Sequence, residues 1–222
     1  MRLRALILLC ALAPSLQPQA ATPGVHPVTG RVYAQPMSAD GAGWLSRRDR
    51  DEEEQPQRAI DALSIPKGST VADIGAGSGY MTALLARKVG PAGKVYANDI
   101  QARMLDLLRR YIAQQKLTNV EPVLGAIDDP KLPADAIDLA LMVDVYHEFS
   151  EPQKMLRGIR TALKADGRMA LIEYRGEDPS VPIKPEHKMT VAQVRAEIEP
   201  EGFRFIKTIE VLPIQHILIF MK

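Results

Sequence analysis

The sequence predicts an α/β protein: seven strands in one open, mostly parallel sheet that ends in a C-terminal antiparallel β-hairpin, with helices on both faces. Three observations carry that expectation. From Ser69 to Leu163, short apolar runs alternate with segments of helical period. The run "AIDLALMVD" from Ala136 is apolar on both alternations, so both sides of that strand must be covered, as in a parallel sheet. The last two apolar runs are separated by Pro213 and little else, whereas a parallel return needs a crossover of about a dozen residues or more.

The elements follow in chain order. Residues 1–21 read as a signal peptide: Arg2 and Arg4 precede the uncharged apolar run Ala5 to Ala13, and a small polar stretch reaches Ala21. The run is short of the roughly 20 apolar residues of a permanent span. An exported, periplasmic protein without a stable membrane span is therefore expected. "PQAA" at 18–21 departs from the usual cleavage pattern, which leaves open an uncleaved anchor, or a misassigned start and a cytoplasmic chain. Cys10 is the single cysteine, so a processed chain would have no disulfide, thiol nucleophile or cysteine metal site.

Residues 22–57 are expected to form an N-terminal arm and a charged helix, with the main domain at 58–222. The arm, 22–43, is rich in Pro and Gly and has no period. "WLSRRDRDEEEQPQRAIDAL" mixes both charge signs and reads as a solvated face, or as a lid over a ligand because Trp44 lies beside it. Pro56 starts or kinks the helix that carries Arg58, Ile60, Asp61 and Leu63.

"STVADIG" is then the first strand and "GYMTALLARKV" its helix. "KVYAND" is the second strand, and "QARMLDLLRRYIAQQK" a helix with Met104, Leu105, Leu108, Tyr111 and Ile112 on one face. "VEPVLG" is the third strand and the run from Ala136 the fourth. Ser150 to Gln153 has capping-box spacing with proline in the first turn and opens a helix to Leu163. "GRMALIEY" from Gly167 is the fifth strand, followed by the proline-rich loop "RGEDPSVPIKPEHKM". Thr190 to Gln193 repeats the capping-box spacing and opens a helix that ends near Pro200 and Gly202. "FRFIKTIEVL" and "QHILIFMK" form the closing hairpin.

Between the first strand and its helix stand Gly75, Gly77 and Gly79. Glycines there let the backbone approach a ligand, and the helix N-terminus offers unpaired N–H groups. Asp99 ends the second strand, where a carboxylate can accept hydrogen bonds from both hydroxyls of a ribose. No lysine follows the loop to reach a triphosphate. A nucleoside with little or no phosphate fits, although singly Asp73 also reads as a turn cap and Asp99 as an exposed strand end.

"VADIGAGSGYMTALLA", "VYANDI" and "LKADGRMALIEY" resemble, in order and spacing, the motifs of class I S-adenosylmethionine-dependent methyltransferases, which have a Rossmann-like fold; the similarity covers about residues 60–222. "VDVYHEFSEPQKMLRGIRTALKADGRMALIEY" resembles the branch of the ubiquinone, menaquinone and arsenite methyltransferases. "GSGYMTALLA" and "GPAGKVYANDI" are also similar to protein isoaspartyl methyltransferases. The resemblance implies S-adenosyl-L-methionine as cofactor, with Asp73, Gly75, Gly77, Gly79 and Tyr80 around its methionine part, Asp99 on the ribose and Ile100 against the adenine. Where the family often reads Gly-Asp-Ala-Glu, this chain reads Gly125, Ala126, Ile127, Asp128. Asp128 then either meets the adenine amino group or belongs to a turn before Pro130.

The methyl acceptor should lie beyond the carboxyl ends of the fourth and fifth strands, beside "DVYHEF" and "EYRGED". His147 is the best general-base candidate, with Asp144 or Glu148 to orient it or steer a cationic donor, and Tyr146 as a wall of the acceptor pocket. Alternatively His147 and Glu148 cap the following helix. Glu173 and Tyr174 are similarly placed, and His187 either enters the acceptor pocket or stands exposed on its loop. No metal-ligand spacing appears, so no metal is expected.

Basic side chains number 28 against 27 acids, and loss of Arg2 and Arg4 with the leader leaves the chain near neutral. That balance, together with Asp144-Val145-Tyr146-His147 where base methyltransferases carry Asp/Asn-Pro-Pro-aromatic, excludes nucleic acid as the expected partner. A small-molecule methyl acceptor is expected. The alternatives are a protein (isoaspartyl-like) methyltransferase and an exported, non-catalytic nucleoside-binding protein of the same fold. The oligomeric state is not read.

Overall fold

The computed structural model describes residues 24–222; the leader expected over 1–21 lies outside the described residues. One eight-stranded sheet is built from β1 (Thr70–Ile74), β2 (Lys94–Asp99), β3 (Val120–Leu124), β4 (Ile137–Val143), β5 (Leu163–Arg175), β6 (Lys188–Met189), β7 (Arg204–Ile209) and β8 (Gln215–Met221). Its order is β3-β2-β1-β4-β5-β8-β7, with β6 paired to β5. The first five strands are parallel neighbours, and β8 runs antiparallel to both β5 and β7. The expected seven strands are all present, and β6 is an addition of two residues that joins the end of the proline-rich loop to Tyr174 and Arg175. β3 forms one edge, where Pro122 is tolerated despite its missing N–H.

The helices are α1 (Arg50–Glu53), α2 (Pro56–Ala62), α3 (Tyr80–Val89), α4 (Ala102–Gln114), α5 (Pro152–Ala162) and α6 (Val191–Ile198). Adjacent residues of β4 enter different cores. Leu139 and Leu141 pack with Ile60, Met81 and Leu85 of α2 and α3, while Ala140 and Met142 pack with Leu156 and Ile159 of α5 and Val194 of α6. That is why the run from Ala136 is apolar on both alternations. Because β2 and β3 lie on one side of β1 and β4 and β5 on the other, the connections diverge there. A crevice is left beyond the carboxyl ends of β1 and β4.

Several local expectations are corrected. No capping box forms at Ser150: α5 starts at Pro152, its N-cap is Glu151, and no side chain caps it. Proline at the first helical position has no N–H to satisfy, and the Glu151 carboxylate pairs with Lys154 at 3.1 Å. The Thr190 box does form, with Thr190 Oγ1 accepting from the Gln193 N–H (3.1 Å) and Gln193 Oε1 accepting from the Thr190 N–H (3.0 Å). β5 begins before Gly167: Leu163 already pairs with Ile137, and the chain then bulges before Arg168 pairs with Leu139. A Cβ on Gly167 would lie 2.9 Å from the carbonyl oxygens of Ile137 and Lys164, so only glycine closes the bulge.

The arm is docked against the domain. Arg31, 8% exposed, donates from Nε and Nη2 to the two carboxylate oxygens of Glu197 on α6 (3.1 and 2.9 Å) and from Nη1 to the His147 carbonyl (2.8 Å). The Ala34 N–H reaches the same carbonyl at 3.1 Å, and Gln101 Nε2 donates to the Met37 carbonyl at 2.8 Å. The charge run is likewise no simple solvated face. Arg50 and Glu54 are buried and paired at 2.8 Å, and the Tyr174 hydroxyl donates to Glu54 at 3.1 Å. Opposite charges four residues apart on a short helix look alike in sequence whether they face water or a neighbouring element. Among the described residues no helix is long and apolar enough to cross a membrane.

Candidate functional site

A cavity of about 750 Å³ opens at the carboxyl ends of β1, β2 and β4, a size typical of small-ligand sites. One wall is the turn that follows β1. Gly75 and Gly77 both hold φ in the left-handed region, +71° and +54°. A Cβ on Gly75 would lie 2.3 Å from Val145 Cγ2, so glycine there also answers the close packing of the loop after β4. The Gly77 N–H donates to Asp99 Oδ2 at 2.9 Å, and the Gln101 N–H to Asp99 Oδ1 at 2.8 Å. An ionised carboxylate has about four acceptor sites, so roughly two stay free for a ligand. Burial raises the Asp99 pKa above the usual carboxylate value, opposed by the Gln101 and Gly77 N–H bonds.

Beside Asp99, Ile100 and Ile127 line the cavity while 40% and 54% exposed. Two apolar side chains open to a pocket next to a strand-end carboxylate suit a planar base that would cover them. Ile127 was not anticipated. Asp128, expected there, is exposed, is absent from the cavity wall and lies 3.9 Å from Lys154 of α5.

A smaller recess shares Leu45, Arg50, Gly75, Gly77 and Val143 with the cavity and adds Asp73 and Tyr80. Asp73 is buried and accepts from Thr82 Oγ1 at 2.5 Å; burial pushes its pKa up to about 6, opposed by the Thr82 bond and the Arg50 charge. The Tyr80 hydroxyl donates to Asp51, and its ring lies 4.7 Å from the Arg50 guanidinium. Gly79 lines neither space: it is the N-cap of α3, and a Cβ on it would lie 3.1 Å from Leu108 Cγ. Arg50 was missed by sequence reasoning. Its Nε donates to Glu54 and its Nη1 to the Leu45 carbonyl, and Nη2 has no acceptor among the described residues. Only the charge run signalled it, and that run contains several arginines.

The opposite wall comes from the ends of β4 and β5. Asp144 holds φ at +51°, uncommon for a residue with a Cβ. Its Oδ2 accepts from Gln215 Nε2 at 2.7 Å, and its buried Oδ1 has no partner among the described residues. Burial, then the nearby Glu173 and Glu54 charges, holds the Asp144 pKa well above the usual range. His147 lines the cavity with Nδ1 2.6 Å from Glu173 Oε2 and Nε2 3.1 Å from His187 Nδ1. Glu173, rather than Asp144 or Glu148, therefore orients His147. Burial works to lower the His147 pKa, but the Glu173 charge and hydrogen bond outweigh it and the net shift is upward. For His187 burial and the His147 charge lower the pKa. Burial raises Glu148 to about 7, against the opposing pull of His147.

His147 and Glu148 sit in a short 3-10 helix, Tyr146–Glu148, and neither caps α5, so the capping alternative falls. His187 stands on the cavity wall and is not an exposed loop residue. Tyr146 is corrected: fully buried, it packs edge-on against Phe149 at 5.6 Å in the core and does not line the cavity.

A glycine turn, a strand-end carboxylate and a histidine-bearing wall around one crevice define an α/β domain built for an adenosine-bearing cofactor. The chain belongs to the methyltransferase-domain family, whose pattern matches residues 65–204. The cofactor of this family and of its structural neighbours is S-adenosyl-L-methionine, and the residues present fit it: Asp99 has acceptor sites to spare, and Ile100 and Ile127 are open to the cavity. The chain is 31% identical over 116 residues to the ubiquinone/menaquinone biosynthesis C-methyltransferase UbiE of Escherichia fergusonii, covering 52% of this chain and 46% of that protein. It thus spans about half the length of the curated relatives it matches. A SAM-dependent methyltransferase from Aquifex aeolicus superposes with a TM-score of 0.79 at 27% identity, covering 84% of this chain and 99% of that one. A putative O-methyltransferase from Nostoc punctiforme shares the fold, with a TM-score of 0.68 at 18% identity over 83% of this chain and 60% of that one.

Proposed function

We propose that this protein transfers a methyl group from S-adenosyl-L-methionine to a small-molecule acceptor. One observation carries the reading: the glycine turn and Asp99 open into the same cavity as Asp144, His147, Glu148 and His187. The cofactor, when bound, supplies a methyl group on a sulfonium, and transfer needs an acceptor held close and in line. In this reading Asp99 accepts from the ribose hydroxyls, Ile100 and Ile127 cover the base, and the Arg50 Nη2 meets the methionine carboxylate. Asp144, on the same wall, stands towards the cationic centre. On the acceptor side, His147 is held by Glu173 and contacts His187, an arrangement that supports a proton-acceptor role at this wall. Tyr33 to Met37 of the docked arm and Pro182 to Lys184 bound the same space, which supports an acceptor small enough to be enclosed.

The test mixes the protein with methyl-labelled cofactor and an extract of its source cells. Label in the low-mass fraction together with S-adenosylhomocysteine is expected. Label on protein, or methyl ester on an isoaspartyl peptide, would shift the assignment to a protein methyltransferase. Cofactor binding by calorimetry without any turnover would leave a non-catalytic binding protein. From the leader-like residues 1–21 we also propose export to the periplasm. Fractionation of source cells should place the protein outside the cytosol, and recovery with cytosolic markers would refute this.

A further inference from the structure

We propose that His147, Glu148 and His187 form a binding site for a divalent transition-metal ion. The three residues come from two distant segments that the fold brings together. His147 and Glu148 lie on the 3-10 helix after β4, and His187 ends a second 3-10 helix, Pro185–His187. The two-residue strand β6 follows His187 directly and pairs with Tyr174 and Arg175, which pins the histidine beside the end of β5. This gives the shortest strand of the sheet a purpose: it carries a cavity-lining imidazole to a fixed position.

The donor geometry favours a metal. His147 Nε2 and His187 Nδ1 face each other at 3.1 Å, and one ring nitrogen of each histidine and a Glu148 carboxylate oxygen all lie within 4.8 Å of one another. An ion about 2.0–2.1 Å from each nitrogen would subtend an N–metal–N angle of roughly 100°, between the octahedral and tetrahedral values. The two rings meet nearly edge to face, at 80° with centroids 5.0 Å apart. Glu173 takes the other ring nitrogen of His147 at 2.6 Å, the carboxylate–histidine support that fixes the ring and leaves Nε2 aimed at the ion. All three donors line the cavity, so the ion has an entry path and an open coordination position facing the ligand space.

Two imidazoles and one carboxylate suit zinc, cobalt, nickel, manganese or iron better than magnesium or calcium, which prefer oxygen ligands. The linear sequence hides the set because His187 stands 40 residues from His147. The metal would replace the direct contact between the two rings, and its open position would take an oxygen of the methyl acceptor. Only that last role rests on the methyl-transfer reading.

The test uses the full chain, stripped with chelator and titrated with zinc chloride by calorimetry without S-adenosylmethionine. Cobalt absorption in the visible region gives a second readout. Saturable binding of about one equivalent is expected, weaker by at least about tenfold in His187→Ala and in Glu148→Gln, with the cobalt bands lost in both. His187 lies outside the buried cores, and a thermal melt of His187→Ala checks that the fold survives. Zinc binding that is absent up to millimolar ligand, unchanged in both variants, or matched by magnesium would overturn the proposal. Because no cofactor is present, this outcome is independent of whether methyl transfer is found.

Discussion

Replacing Asp99 with alanine tests the cofactor site most directly. Two of its roughly four acceptor sites are taken by the Gly77 and Gln101 N–H groups, which leaves about two for the ribose hydroxyls. A hydrogen bond to a charged group contributes about 1.5–3 kcal/mol. Losing two should therefore weaken cofactor binding by about 3–6 kcal/mol, roughly a hundredfold to ten-thousandfold in Kd. Alanine also strips the Gly77 N–H of its acceptor, at a separate cost of about 1–3 kcal/mol in stability, so a thermal melt accompanies the titration. Calorimetry with both S-adenosylmethionine and S-adenosylhomocysteine isolates the cause. The two share the ribose and differ in the sulfonium, so a ribose contact predicts the same loss factor for both. A Kd within threefold of the parent, or a loss confined to the cationic ligand, would refute the assignment.

Asp73→Asn should change how stability depends on pH. The fold raises this carboxyl to about 6 from an ordinary 3.8, so the native state favours the protonated form and stability falls as pH rises from about 4 through 6. The loss from this group reaches about 3 kcal/mol above that window, so denaturant melts at pH 4 and pH 8 should show a loss smaller by about that amount in the asparagine variant than in the parent. Equal pH dependence in both proteins would refute the burial argument. Arg31→Ala leaves Glu197 buried without its bidentate partner and should cost about 3–5 kcal/mol, with faster proteolysis between residues 24 and 46. If the arm stays protected, the Arg31 pair is not what docks it. Thr190→Ala should cost about 1 kcal/mol through the lost cap on α6. Ser150→Ala should stay within about 0.5 kcal/mol, and equal losses would contradict the two helix starts.

Strand identities, the reversed hairpin and the glycine turn beside Asp99 were legible because they depend on local signals. Apolar period, glycine in a strand-to-helix turn and an acid at a strand end are all written within short windows, and their places in the sheet follow from short connections. The histidine-bearing wall of the cavity depends on contacts between distant segments. Glu173 rather than a neighbouring acid orients His147, His187 arrives from a loop pinned by β6, and Arg50 turns inward from a helix whose charges look solvated. Tyr146 enters the core while its neighbour His147 meets the cavity, and Ile127 rather than its neighbour Asp128 lines it, because one residue of rotation in a tight turn decides which side chain faces which way.

The sequence by itself determined an α/β domain with a glycine turn and a strand-end acid suited to a nucleoside, since backbone turns and strand ends are local, and its resemblance to a family named the cofactor. The tertiary structure alone decided which charged and histidine side chains share one enclosed space. Burial, pairing and distance belong to the packed molecule and not to any stretch of the chain.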